Sequence, residues 1–237
     1  MGRALWLPHI LFEAGLVVHE VDGWQTRGSS TFDPRWQVFH HTASHAGSDH
    51  PSLNICTNGR SDLAGPLCNV LVARNGDCWV VASGRANHAG TGRYPDGTTG
   101  NSLSIGWECE NNGTGEPWPD AQLEAIAVGQ AAVACHLGQP ATSIIYHRTF
   151  APGRKIDPAG PGIPQDVTVW QARVAATMTG EPDMPLNDAD LFTIGVIVKQ
   201  CLADTGLATL SEKEKRRAQK LRARLQRIEA ELDAQGD

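Results

Sequence analysis

Apolar and polar positions along the chain recur with two different periods, and the switches between them mark out the elements. Residues 8–14 predict a short helix, with Pro8 in its first turn and Gly15 just past its end. LVVHEV (16–21) and WQVFHHTA (36–43) read as strands, and CNVLVARNGDCWVVA (68–82) reads as a hairpin turning at Asn75-Gly76. LSIGWECE (103–110) is another strand. Over residues 119–138, Leu123, Ile126, Gln130, Val133 and Leu137 stand at helical spacing, and Gly138 ends the run. SIIYH (143–147) is again a strand, and residues 165–177 are helical. This mixture of strands and helices predicts an α/β domain over residues 1–178.

The pattern then changes. Residues 179–187 carry two prolines and two acidic side chains and read as a linker. In the remaining tail, 188–237, residues 188–203 are an apolar helix candidate, and Ser211 with Glu214 forms a capping box opening a second helix. Ala218, Leu221, Leu225, Ile228 and Leu232 alternate steps of three and four, a short coiled-coil seam. Lys213, Lys215, Arg216, Arg217, Lys220, Arg222, Arg224 and Arg227 surround it. The expectation is a C-terminal helical hairpin serving homo-oligomerisation or, through its basic face, binding to an anionic polymer.

Composition narrows the classes. The chain has 237 residues, enough for a sizeable core, and its 41% hydrophobic content is that of a globular protein. A net charge of −6 argues against a broad grip on nucleic acid. The start MGRALWLPHILFEAG lacks the uninterrupted apolar core and cleavage site of a signal peptide, and no run reaches the ~18 apolar residues of a membrane span. The expectation is a soluble chain made in the cytoplasm, without stable membrane insertion. None of the six cysteines forms a CxxC pair. Cys78, Cys109 and Cys135 read as buried free thiols, while a Cys56–Cys68 or Cys68–Cys78 disulfide stays open.

Candidate chemistry concentrates in YHRTFAPGRKIDP (146–158), where Pro152, Gly153 and Pro158 leave no room for a regular helix. It holds His147, Asp157 and Lys155, the one lysine among the first 198 residues. Upstream, His40 and His41 are adjacent on a predicted strand and point to opposite faces, so at most one can join a common site. Zinc hydrolases bind the metal with three nitrogen or oxygen ligands and keep a fourth position for water. A lone strand histidine is more often structural. The His147–Asp157 pair supplies partners that could make it a ligand.

VFHHTA, NHAG, NSLSIGWECE and HRTFAPGRKIDP occur in the order found in zinc-dependent N-acetylmuramoyl-L-alanine amidases, and the chain resembles that family over about residues 35–178. GRANHAG and GWQTRG (23–28) look like phage endolysins of actinobacterial hosts. The resemblance implies the amidase fold shared with peptidoglycan recognition proteins, a central mixed β-sheet flanked by helices. It also implies a Zn2+ site formed by His40, His147 and Asp157, with Glu108 and Lys155 catalytic. In that scheme Glu108 moves the water's proton to the leaving amine, and Lys155 stabilises charge on the carbonyl oxygen. Gly106, on the same strand face, would leave space for substrate. Glu110 shares that face and is the rival base, its plainer reading being a solvated strand end. His88 lines the cleft or is structural, whereas His45 and His50 read as exposed loop residues. Many relatives carry a tyrosine-histidine pair where this chain has Cys68-Asn69, so Asn69 or Tyr94 is left to contact the substrate in the tyrosine's place.

The implied activity is an endolysin's: hydrolysis of the bond between N-acetylmuramic acid and L-alanine in peptidoglycan. Such an enzyme waits in the host bacterial cytoplasm and reaches the cell wall at lysis through a pore made by another phage protein. The alternatives are a non-catalytic peptidoglycan-binding module and a cytoplasmic muropeptide-recycling amidase. A chain lacking residues 185–237 is expected to retain zinc and hydrolyse soluble muropeptides, but to lose oligomer mass by light scattering or lysis of intact walls. Failure of the shortened chain to fold would assign the tail to the catalytic core.

Overall fold

The computed structural model describes residues 2–179 apart from residue 46. The linker and the helical tail expected beyond residue 179 lie outside the described residues. In chain order the elements are α1 (Leu7–Glu13), β1 (Val18–Glu20), β2 (Trp36–His41), α2 (Leu53–Asn58), β3 (Gly59–Arg60), β4 (Leu63–Ala64), β5 (Val70–Val72) and β6 (Cys78–Val80). They continue with β7 (Ser104–Cys109), α3 (Asp120–His136), β8 (Ile144–Tyr146), α4 (His147–Phe150) and α5 (Val167–Thr179). The α/β reading holds, and the hairpin turns where the Asn-Gly pair stands, with Gly76 at φ +87°.

Six strands form one mixed sheet in the order β1-β6-β5-β7-β2-β8. Only the β5–β6 hairpin pairs antiparallel; the other neighbours are parallel. Alternation along each strand sorts side chains onto two faces. Phe39, Ile105, Trp107, Ile144 and Tyr146 join the main core, together with Leu7 and Leu11 of α1, Ile126 of α3 and Trp170 of α5. Gln130, read from its spacing as part of the apolar face of α3, is indeed buried, and its side-chain and backbone oxygens both accept hydrogen bonds in the core. Its side-chain oxygen accepts from Trp170 Nε1 at 2.8 Å, and its carbonyl accepts from Gln37 Nε2 at 3.0 Å. Gln37 Oε1 in turn accepts from Trp107 Nε1 at 2.9 Å. Each of these buried contacts pairs a donor with an acceptor, the condition for tolerating polar atoms inside a core, whereas Gln130 Nε2 has no hydrogen-bond partner among the described residues.

The other face carries less packing. Val38 and Ile145 meet Tyr94, Phe150 and Ala151 in a small second cluster, and Leu71 meets Cys56, Cys68 and Val81 in a third. Asn69 ties this side together. Its Oδ1 accepts from the Gly106 amide at 3.0 Å, while Nδ2 donates to the Ala82 and Gly84 carbonyls at 3.0 and 2.8 Å.

Three expectations are corrected. The 146–158 segment does contain a helical turn, α4, too short to leave any periodicity. The short α2 and the β3–β4 hairpin were not foreseen, because each buries too few residues to imprint a pattern; Cys56 is the buried residue of α2. Cys135 is exposed, unlike Cys78 and Cys109, since the apolar sequence of α3 does not reveal which side of its last turn faces outward. Cys56 and Cys68 are free thiols.

Asn69→Leu would orphan three buried backbone groups at ~1–3 kcal/mol each. Urea denaturation is expected to show a loss of about 3 kcal/mol or more, and an unchanged midpoint would refute this bridging role.

Candidate functional site

The site grows from strand register. Across the three adjacent parallel strands β7, β2 and β8, Glu108 pairs with His40 and Phe39 pairs with Tyr146, so His147 follows alongside His40. One row thus holds Glu108, His40 and His147 at the carboxyl ends of the strands, where open α/β sheets build their sites. All three sit on the face opposite the main core.

Asp157 arrives from the following loop. The Asp157 carbonyl accepts from the Arg148 amide at 2.8 Å, and Arg148 Nη2 donates to the Pro164 carbonyl at 2.8 Å. Farther along, the Ala159 amide donates to His41 Nδ1 at 3.1 Å, and Trp118 Nε1 donates to the Ala159 carbonyl at 2.9 Å. The loop is therefore irregular but anchored on both sides of its carboxylate.

His40, His147 and Asp157 form a buried cluster. His40 Nδ1 lies 2.8 Å from His147 Nδ1 and 3.1 Å from Asp157 Oδ2, and His147 Nδ1 lies 2.9 Å from the same oxygen. Burial first, then the neighbouring His147, lowers His40 to about 4 against the opposing pull of Asp157, so its ring is neutral near pH 7. Burial alone would raise the Asp157 carboxyl, but the facing His147 and His40 rings outweigh it and hold the group well below the ordinary carboxylate range. His147 Nε2 is 2.8 Å from the Ala89 carbonyl, which can only accept, so the ring proton sits on Nε2 and Nδ1 offers a lone pair. Lone-pair atoms pressed this closely repel one another unless a cation or a proton lies among them. Two imidazole nitrogens and a carboxylate oxygen make a donor set suited to a divalent metal such as zinc.

Two acidic residues on β7 and just beyond it meet opposite fates. Glu108 lies in the wall of a cleft of about 600 Å³ that also reaches His40, His147, Lys155 and Asp157. Its Oε2 is enclosed and has no hydrogen-bond partner among the described residues. Burial first, and then nearby Cys56, Asp157 and Glu110, raises its carboxyl well above its usual range, with Lys155 opposing. Glu110 is not a solvated strand end: it is fully buried. The Ser52 amide donates to it at 2.7 Å, and Thr42, Ser44 and Ser52 hydroxyls all donate to its Oε2. Its carboxylate is occupied by these donors, whereas Glu108 keeps an unpartnered oxygen in the cleft wall.

Other expected site residues divide. His88 reaches the cleft, buried, with Nδ1 3.0 Å from His40 Nε2. Asn69 and Tyr94 do not: both are buried and spend their polar atoms inside the protein, Tyr94 on the Gly100 carbonyl and Ser104. Neither occupies a cleft position that could replace the tyrosine, and Cys68 is fully buried as well. Gly106 makes room for His88 rather than substrate, because a Cβ there would lie 2.5 Å from the imidazole. His45 is exposed, whereas His50 stacks on Trp79 with centroids 4.5 Å apart. The sequence reading missed Ile55, Arg60 and Leu63 as cleft residues. They come from α2 and the small hairpin, and the exposed apolar Ile55 was the one local hint.

Comparison with known proteins agrees with this geometry. The family described as N-acetylmuramoyl-L-alanine amidase matches residues 30–160. A search of curated proteins found no match. Among solved structures, the chain is similar to a selenomethionine AmpD derivative at 24% identity and a TM-score of 0.51, covering 67% of this chain and 93% of that one. That likeness shows the fold. AmiD from E. coli, bound to anhydro-N-acetylmuramic acid-L-Ala-D-gamma-Glu-L-Lys, is 24% identical with 74% of each chain covered and a TM-score of 0.46. The endolysin LysCS from Clostridium intestinale URNW is 17% identical, covering 66% of this chain and 94% of that one, with a TM-score of 0.47.

His40→Ala and Asp157→Ala are each expected to abolish stoichiometric zinc uptake, measured by elemental analysis after dialysis, while His41→Ala retains it. Loss of metal in His41→Ala alone would move the cluster to the other strand face.

Proposed function

This chain belongs to the N-acetylmuramoyl-L-alanine amidase family, and from that premise we propose that it is a zinc-dependent peptidoglycan hydrolase of the phage endolysin type. The observation that carries the reading is the convergence of His40, His147 and Asp157 beside the unpartnered carboxylate of Glu108 in one cleft. In this reading His40, His147 and Asp157 would hold the ion, and bound zinc supplies Lewis acidity toward water and the scissile carbonyl.

The chain's own residues carry the proton and the charge. Glu108, raised in pKa by burial, takes a proton from the attacking water and returns it to the departing nitrogen. The new C–O bond forms at the lactyl carbonyl, the C–N bond to L-alanine breaks, and a carboxyl group and a free amine result. Lys155, exposed on the loop at the cleft, offers positive charge to the carbonyl oxygen as it becomes anionic. His41 positions the loop by accepting the Ala159 amide proton.

Two features favour an endolysin over a recycling amidase. One is the resemblance of GWQTRG and GRANHAG to phage enzymes. The other is the basic sequence at 213–227, which suits the anionic polymers of a wall. Among the described residues no helix is long and apolar enough to cross a membrane. Thr179 closes helix α5, so the linker is proposed as residues 180–187, with 188–237 as a wall-binding or self-associating segment.

On purified peptidoglycan, the wild-type chain is expected to release L-alanine amino groups. Glu108→Gln and Lys155→Ala should retain zinc, with the glutamine variant slower by ~10²–10⁴-fold. Binding without hydrolysis by the zinc-loaded wild type would favour a recognition module. Hydrolysis confined to soluble muropeptides would favour recycling.

A further inference from the structure

His88, Ser104 and Tyr94 were not assigned a joint role by the sequence, yet they form one line leading away from His40. Tyr94 Oη lies 3.0 Å from the Gly100 carbonyl and 2.8 Å from Ser104 Oγ. Ser104 Oγ lies 3.1 Å from His88 Nε2, and His88 Nδ1 lies 3.0 Å from His40 Nε2. All four side chains are buried.

The direction of every proton in this line follows from its far end. A carbonyl oxygen only accepts, so the single phenolic proton of Tyr94 points to Gly100. Tyr94 Oη must then accept from the Ser104 hydroxyl, which uses Ser104's only proton. Ser104 Oγ can therefore only accept from His88, which places a proton on His88 Nε2. A neutral His88 then has a bare Nδ1, and the remaining contact is satisfied by a proton on His40 Nε2. His40 Nδ1 is left bare, facing His147 and Asp157.

We propose that His88, Ser104 and Tyr94 act as positioning residues, a one-way hydrogen-bonded line that fixes His40 as its Nε2–H tautomer and presents Nδ1 to the metal. The surrounding packing holds the line in place. Tyr94 stacks on Trp36 with centroids 5.4 Å apart and lies 4.7 Å from Phe150, so its hydroxyl has little freedom. Gly106 lets the His88 ring lie directly against β7, where a Cβ would collide with the imidazole at 2.5 Å. The Ala89 amide donates to Asn101 Oδ1 at 2.9 Å, which anchors the backbone next to His88. His147 receives its own tautomer from the Ala89 carbonyl, so the loop around residues 88–89 orients both imidazoles of the cluster.

The inference rests on the zinc reading for its consequence but not for its first test. Long-range 1H–15N correlation spectra of the imidazoles are expected to show Nε2–H tautomers for His40, His88 and His147 in the zinc-loaded full-length chain, and for His88 in the metal-free chain as well. An Nδ1–H tautomer at His88 in either state, or at His40 in the zinc-loaded chain, would overturn the proposal. The second test is zinc affinity by chelator competition. His88→Leu should weaken it by about 10–100-fold, the range for a lost outer hydrogen-bond partner. His88→Asn, whose side-chain oxygen can accept from His40, should recover most of that loss. Equal affinity in wild type and His88→Leu, or equal losses in the leucine and asparagine variants, would overturn it. Should His88→Leu not fold, Ser104→Ala decides: removal of the acceptor should move the His88 proton toward Nδ1, and an unchanged tautomer would refute the line. Failure of the wild-type chain to bind zinc would refute the metal reading, while the tautomers would still judge this one.

Discussion

Three electron-pair-bearing atoms, two imidazole nitrogens and one carboxylate oxygen, meet within 2.8–3.1 Å in a buried corner of this fold. Without a cation among them, that convergence is a repulsion taken out of water, where electrostatic interactions are strong. It persists because each donor is held from behind. His40 is fixed by the register of β2 against β7, His147 by the end of β8 and its contact with Ala89, and Asp157 by a loop anchored through Arg148 and Ala159. The main core behind the sheet, with its hydrogen-bonded Trp107–Gln37–Gln130–Trp170 chain, supplies the rigidity on which this arrangement depends.

Polar groups around the site divide into those spent on structure and those left available for chemistry. Glu110 receives an amide and three hydroxyls, and Asn69 bridges three backbone groups. Glu108, two residues from Glu110, keeps one oxygen unpartnered in the cleft wall. A buried carboxylate without partners is costly for folding, and its raised pKa expresses that cost.

The sequence by itself determined the elements whose side chains repeat often enough to leave a period. The β5–β6 hairpin, the strands carrying His40 and Glu108, and the long helix α3 were legible from alternation, the Asn-Gly turn and three-four spacing. The loop with Lys155 and Asp157 stood out through motif order, which does not depend on regular structure. Elements of one or two turns, α2 and α4, were not legible, because a period cannot be read from so few residues.

Only the tertiary structure decided the partners. Glu108 and Glu110 share a strand-face parity, and nothing local distinguishes them; hydroxyls from residues 42–52 occupy one and leave the other open. Tyr94 and Asn69, expected from the sequence to contact substrate, are turned inward by the fold, Tyr94 to the line behind His40 and Asn69 to the sheet backbone. Gly106 shows the same limit, since its missing side chain accommodates an imidazole eighteen residues away in sequence. Periodicity is a property of neighbours along the chain. Hydrogen-bond satisfaction depends on neighbours in space, and it assigned the work of these residues.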